Sequence, residues 1–185
     1  GRLRRIANAP PLVAPGVQLD ALNWIARHQS PDGSWDPVGF DSLCTDGKCT
    51  GRGSSVHTAG LTGLALLTFL GAGYDSTRPS AYVEVVRRGL KWLKNNQDAE
   101  GCFGSRANNR FTYSHACATL AMCEAYASHR SALWKTGAQA GLKFISQCQN
   151  PYKAWRYGVK PGDKIRFMAA QEGGRMLVTA IAPAP

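Results

Sequence analysis

The chain has 185 residues, 44% hydrophobic and 18% charged, which is the composition of a globular domain and excludes a disordered one. No run of eighteen apolar residues occurs, so no ordinary membrane-spanning helix is expected. The formal charge of +10 favours anionic partners such as lipid headgroups, phosphorylated ligands or nucleic acid. Nucleic acid is the weakest of these readings, because no helix-turn-helix, RNA-binding or zinc-finger signature accompanies the charge.

Residues 1–16 carry Pro10, Pro11 and Pro15 without any period and read as a linker or irregular arm. The basic start Gly1-Arg2-Leu3-Arg4-Arg5-Ile6 has no apolar block behind it and is not a complete signal peptide; export of a longer parent stays open. A first helix is predicted over 17–29, with Leu22 and Ile25 on one face. The glycine-rich stretch 30–53 then forms a long loop held by Trp35 and Phe40. Next comes the most apolar helix, over 54–70, with Ser54 or Ser55 as its cap. Its small and apolar residues cover most faces, so it belongs inside.

Gly71-Ala72-Gly73 stops that helix, and Pro79-Ser80 starts another that ends at Gln97. On it, Arg87, Arg88, Lys91 and Lys94 oppose Val86, Leu90 and Leu93; the set reads as a solvated face, with contact to an anionic membrane surface as the alternative. A loop over 98–111 leads to a second inner helix, 112–127, and a last outer helix runs over 131–149. Outer and inner helices thus alternate. Lys164 to Ala170 and Arg175 to Ile181 alternate in polarity around Gly173-Gly174 and read as a β-hairpin tail over 164–185.

One skeleton recurs three times. Leu22/Trp24/Gln29, Leu90/Trp92/Gln97 and Leu142/Phe144/Gln149 share a Leu, an aromatic and a Gln at fixed spacing, and each Gln is followed six residues later by Trp35, Phe103 or Trp155. Gly33 and Gly101 stand four residues after the first two glutamines, and Lys153 takes that place in the third copy. The unequal intervals between copies mark a repeated helix-plus-turn unit with connections of variable length. Gln can bond main-chain groups of the turn, and the aromatic ring can fold back beneath the helix end.

Gln29-x-x-x-Gly33-x-Trp35 and Gln97-x-x-x-Gly101-x-Phe103, each after an apolar helix, resemble the QW-type repeats of the terpenoid cyclase and protein prenyltransferase superfamily. The closer likeness is to bacterial proteins with prenyltransferase and squalene oxidase repeats. It covers residues 17–163 and implies a mainly α fold, a partial α/α toroid of outer and inner helices; where it would imply a further inner helix, the residues read instead as the C-terminal β-hairpin. The phrase Gly158-Val159-Lys160-Pro161-Gly162-Asp163-Lys164-Ile165-Arg166-Phe167 also resembles half of an AbrB-like swapped hairpin.

The chemistry of the superfamily is not matched within this chain. It lacks the Asp-x-Asp-Asp cluster that protonates an alkene or epoxide and the Asp-Asp-x-x-Asp pattern that ionises a diphosphate. A zinc set of the prenyltransferase kind is not recognisable either, and no cofactor is expected. Asp32 and Asp36 flank Trp35 and read as turn residues. His57 and His115 open the two inner helices in similar settings, where they would reach one rim of the toroid or cap helix ends. Glu124 is the single carboxylate on those helices and the best candidate for an interior polar group. Cys44 and Cys49 share a loop with an Asp-Gly turn; two cysteines do not fill a tetrahedral zinc site and no Cys-x-x-Cys or His-x-x-x-His completes one, so in an oxidising compartment a local disulfide is preferred to a metal.

The sequence therefore predicts a noncatalytic or fragmentary repeat module. Leu61, Leu64, Leu67, Leu120 and Met122 would present an apolar concave face to a lipid, an isoprenoid or a protein partner, or drive self-association. The alternative is a squalene-hopene cyclase-like enzyme whose acidic motif lies outside this chain.

Overall fold

The computed structural model describes residues 15–107, 111–149, 165–172 and 175–183, the last two stretches by their backbone alone. Five α-helices follow in order: α1 Pro15–Arg27, α2 Thr58–Gly71, α3 Val83–Asn95, α4 Phe111–His129 and α5 Ala132–Gln147. The fold is mainly helical, and α2 and α4 form its inner pair, with α3 packed on α2 and α5 on α4. This alternation is that of an α/α toroid.

The inner pair is tight because α2 carries glycine where α4 crosses it. A Cβ on Gly63 would lie 2.6 Å from the Ala118 nitrogen, and one on Gly60 would lie 2.8 Å from the Ser114 Cα, so backbone meets backbone. On the other side of α2, Leu66 and Phe69 are wholly buried against Val86, Leu90 and Leu93 of α3. Phe69 also sits between the rings of Trp35 and Tyr82, at 6.2 and 5.2 Å. The Tyr82 hydroxyl donates to Asn23 Oδ1 at 2.7 Å and ties the start of α3 to α1. Burial of each such side chain contributes about 1.5–3 kcal/mol.

Several boundaries differ from the sequence reading. Ser54 and Ser55 do not cap α2; Ser55–His57 form a 3₁₀ turn without a side-chain cap, and the inner helix begins at Thr58, whose hydroxyl donates to the Ser55 carbonyl. Helix α3 starts at Val83, because Ser80 Oγ takes the Tyr82 N–H in a local turn instead of opening the helix. It stops at Asn95, before Gln97, because Gln97 pairs its backbone with Phe103. Pro15 occupies the first helical position of α1, where its missing N–H costs nothing. Met122, expected on the concave face, is fully buried in the core, with its methyl group 2.8 Å from where a Gly137 Cβ would stand.

In the expected tail, Ile165–Glu172 and Arg175–Pro183 form two antiparallel strands, β1 and β2, with an irregularity between Met168 and Ala169. Residues 1–14, 150–164, 173 and 174 lie outside the described residues; of the arm expected over 1–16, Pro15 and Gly16 belong to α1.

Candidate functional site

The repeated glutamines are structural connectors. Gln29 Nε2 donates to the Gly33 carbonyl within its own turn and to the Val85 carbonyl on α3, both at 2.9 Å. Gln97 does the same one unit later, to Gly101 at 3.0 Å and to Gly137 on α5 at 2.9 Å. Each turn thus docks on the next outer helix. The turn glycines make that approach feasible: a Cβ on Gly33 would meet the Arg88 carbonyl oxygen at 2.7 Å, and one on Gly101 the Ala140 oxygen at 2.5 Å. Both also hold positive φ, 99° and 96°, which L side chains rarely adopt. Gln149, third of the series, ends a described stretch, and its partner aromatic Trp155 lies outside it.

The aromatic of each turn is held from the inner helix. Trp35 donates its backbone N–H to Thr62 Oγ1 at 3.1 Å and its indole N–H to the Ile25 carbonyl of its own helix at 2.8 Å. Phe103 donates its backbone N–H to His115 Nδ1 at 3.0 Å. His115 Nε2 faces the Gly141 carbonyl at 3.1 Å, which makes Nδ1 the acceptor and Nε2–H the donor of a neutral ring. Burial pushes the His115 pKa below its ordinary value, while the bond to Gly141 opposes that shift. The two histidines are therefore not equivalent: His57 is exposed ahead of α2, and His115 is enclosed and holds the core together. The analogue of His115 is Thr62, a match hidden from sequence because the two side chains differ in everything but an acceptor atom.

The carboxylates beside the turns act as loop fasteners. Asp32 accepts the Ser34 N–H at 2.9 Å, the Ser34 hydroxyl and the Trp92 indole at 2.8 Å. Burial raises its pKa, but these three donors outweigh it and hold the carboxyl below the usual range. Asp98 takes the Cys102 N–H at 2.9 Å and pairs with Arg106. Of the basic set on α3, Arg88 donates to the Ser30 and Pro31 carbonyls at 2.7 and 2.9 Å, and Arg87 bonds Ser76 and Glu84. Two of the four cations are thus fixed to the protein, and Lys91 and Lys94 remain exposed. Glu124 is half-buried in the C-terminal half of α4 and does not line the cavity described next.

That cavity, of about 510 Å³, opens between the C-terminal half of α1, the long loop after it and α2. Its lining includes Trp24, Trp35, Phe40, Leu61 and Leu64, together with Asp36 and His28. Leu61 and Leu64 are 38% and 49% exposed, unusual for large apolar residues on the most apolar helix. Asp36 is occupied by its turn, accepting the N–H groups of Val38 and Gly39 at 3.1 Å. Leu120, half-exposed on α4, is not part of this lining.

Beside the cavity, Cys44 and Cys49 are free thiols that lie with His28 in one cluster, their ligand atoms within 4.8 Å of one another. His28 is buried, stacks on Trp24 with ring centroids 3.9 Å apart, and stands 3.3 Å from Cys49 Sγ through Nε2. Cys44 Sγ donates to Asp46 Oδ1 at 2.9 Å, and its contact with Cys49, aided by burial, raises the Cys49 pKa to about 11. The sequence reading did not single out His28. A signal existed: Asn96 and Cys148 precede the other two glutamines, so the histidine belongs to the first copy alone.

The fold and the wired turns define a helical repeat module of the α/α-toroid class. A model of the squalene-hopene cyclase C-terminal domain matches residues 11–115, more than half of the chain, and the chain belongs to that family. No curated protein and no solved structure matches it.

Proposed function

We propose that this chain is a terpene cyclase-type repeat module that holds an apolar, isoprenoid-like lipid in the cavity between α1 and α2 and does not itself perform the cyclisation. The observation that carries this reading is the pairing of exposed Leu61 and Leu64 with Trp24, Trp35 and Phe40 around about 510 Å³ of space. A ligand site is typically such a mostly apolar concavity with a few polar groups at its edge. Family membership supports the ligand class. Support for the noncatalytic part comes from the carboxylates: Asp36 is tied up by its own turn, and Glu124 lies away from the cavity. Protonating an alkene takes an acid strengthened by clustered neighbours in a dry site. In this reading the module is a partial toroid that ends in a C-terminal hairpin, which the antiparallel pairing of β1 and β2 supports.

Trp24 and Trp35 report on the cavity directly. Titration with farnesol or with dispersed squalene is expected to quench tryptophan fluorescence saturably, and Leu64→Asp is expected to remove the response. Incubation with squalene and with prenyl diphosphates is expected to return them unchanged. Turnover that Glu124→Gln abolishes would overthrow the noncatalytic part and establish the enzyme reading instead. A second copy of the chain on the same face would appear as self-association in sedimentation that added lipid does not disperse.

A further inference from the structure

We infer that His28, Cys44 and Cys49 form a zinc site, closed by Asp46, that pins the long loop after α1 to the end of that helix. Three potential ligands from two separate segments converge within 4.8 Å, and among the described residues no other group of histidine, cysteine or carboxylate does so. Tetrahedral zinc, bonded at about 2.3 Å to sulfur and 2.0–2.1 Å to nitrogen, holds its ligand atoms roughly 3.5–3.8 Å apart. The Cys49 Sγ to His28 Nε2 separation of 3.3 Å already matches that spacing closely.

The histidine is prepared for the role. Its Nδ1 lies 2.7 Å from the Trp24 carbonyl, which has only lone pairs to offer, so Nδ1 carries the proton and Nε2 keeps a free lone pair aimed at Cys49. Donation of the second ring N–H to a backbone carbonyl is the usual support of a metal-bound imidazole. The Trp24 ring, stacked on the imidazole, fixes its plane. Asp46 Oδ1 lies 2.9 Å from Cys44 Sγ and also accepts the Lys48 N–H at 3.2 Å; its carboxylate stands beside the three-ligand group and would turn toward the ion to complete the fourth position. Lys48, 3.8 Å from the other Asp46 oxygen, is exposed and free to turn away.

The donor set selects the ion. Two thiolates with an imidazole suit zinc far better than magnesium or calcium, which take oxygen. As each sulfur–metal bond forms, its thiol releases a proton to solvent, and the two thiolates neutralise the charge of the ion. The site stands apart from the lipid reading: Cys44 and Cys49 do not line the cavity, His28 alone borders both, and metal binding is read without any lipid.

Cobalt(II) added to the reduced 185-residue chain tests the inference. One equivalent is expected to give the visible bands of a tetrahedral ion and a near-ultraviolet thiolate charge-transfer band, both removed by zinc. Cys44→Ser/Cys49→Ser and His28→Gln are expected to abolish the bands while circular dichroism stays helical, and Asp46→Asn to weaken binding at least tenfold. X-ray absorption at the zinc edge of the loaded wild type, which needs no variant, is expected to read two sulfurs. No cobalt spectrum in the reduced protein, bands that survive the double cysteine variant, or four sulfurs around zinc would overturn the site. So would a Cys44–Cys49 disulfide that persists in metal-supplemented protein prepared without an oxidant.

Discussion

The first and second turn units share their wiring and differ in everything attached to it. In both, a glutamine bridges its own turn and the next outer helix, a glycine at positive φ meets a helix carbonyl, and a buried aromatic hangs from an inner-helix acceptor. After the second turn, Arg106 clamps Asp98 and Glu100, and the chain soon enters α4. After the first turn the chain instead makes a long excursion that carries Phe40, Cys44, Asp46 and Cys49 past His28 before it reaches α2. The shared parts build the scaffold, and the excursion builds the cavity wall and the thiol cluster. A repeat that is conserved in its connections is thus free to vary in its loops, which is where binding groups accumulate.

The sharpest way to break this comparison is to remove the aromatic from each unit. Trp35→Ala and Phe103→Ala are each expected to lower unfolding free energy by about 3–5 kcal/mol, read by denaturant titration. Similar losses would support equivalent roles; a neutral Trp35→Ala would mean that the first turn is not stapled. Replacing the connectors comes next. Gln29→Ala and Gln97→Ala each remove a donor from two carbonyls, with an expected cost of about 1–3 kcal/mol, and the two values should agree if the wiring is truly repeated.

Acid should separate the units. His115 in the second has its pKa lowered by burial, so its contribution is fully present above its unfolded value of about 6.5 and is lost as pH falls through the lower folded value. Thr62 in the first has no such dependence. Thermal unfolding followed from pH 7 to pH 5 is expected to show a falling melting temperature, and His115→Gln to flatten that slope while lowering stability throughout. Further loss below about pH 4 would report the carboxylates. Asp75 is the clearest case: burial raises its pKa, but donors from Thr77 and Arg78 prevail and hold it far below the usual range, so its stabilisation is full above the ordinary carboxylate value and declines steadily as pH falls from there toward the folded value. The smallest expected effect is Arg88→Ala. It removes two bonds to the first turn from an exposed position and should cost about 1 kcal/mol or less.

Much of the scaffold was legible in the sequence because it rests on local periodicity and spacing. The alternation of helices, the glutamine at each helix end and the glycine turn all follow from residues a few positions apart. The second partner of each glutamine was not legible: Val85 and Gly137 accept through backbone carbonyls, which carry no side-chain signature. Met122 was misplaced because α4 is apolar on most faces, so its inward and outward sides cannot be told apart by pattern. His57 and His115 looked alike because they precede similar small residues, yet the 3₁₀ turn holds His57 outside α2 while His115 lies within α4. His28 joined the cysteines only through folding, since a helix end and a loop must meet for the cluster to exist.

The central claim is that the first unit's excursion turns a structural repeat into a ligand site. Its most direct test is the thermal stabilisation given by farnesol to the wild type, to Leu64→Asp and to Leu120→Asp, which replace half-exposed leucines inside and outside the cavity lining. At a concentration one hundredfold above Kd, a ligand of the folded state alone adds about 2.7 kcal/mol. The account predicts a clear upward shift in wild type and in Leu120→Asp and none in Leu64→Asp. Equal shifts in all three, or no shift in the wild type, would contradict it.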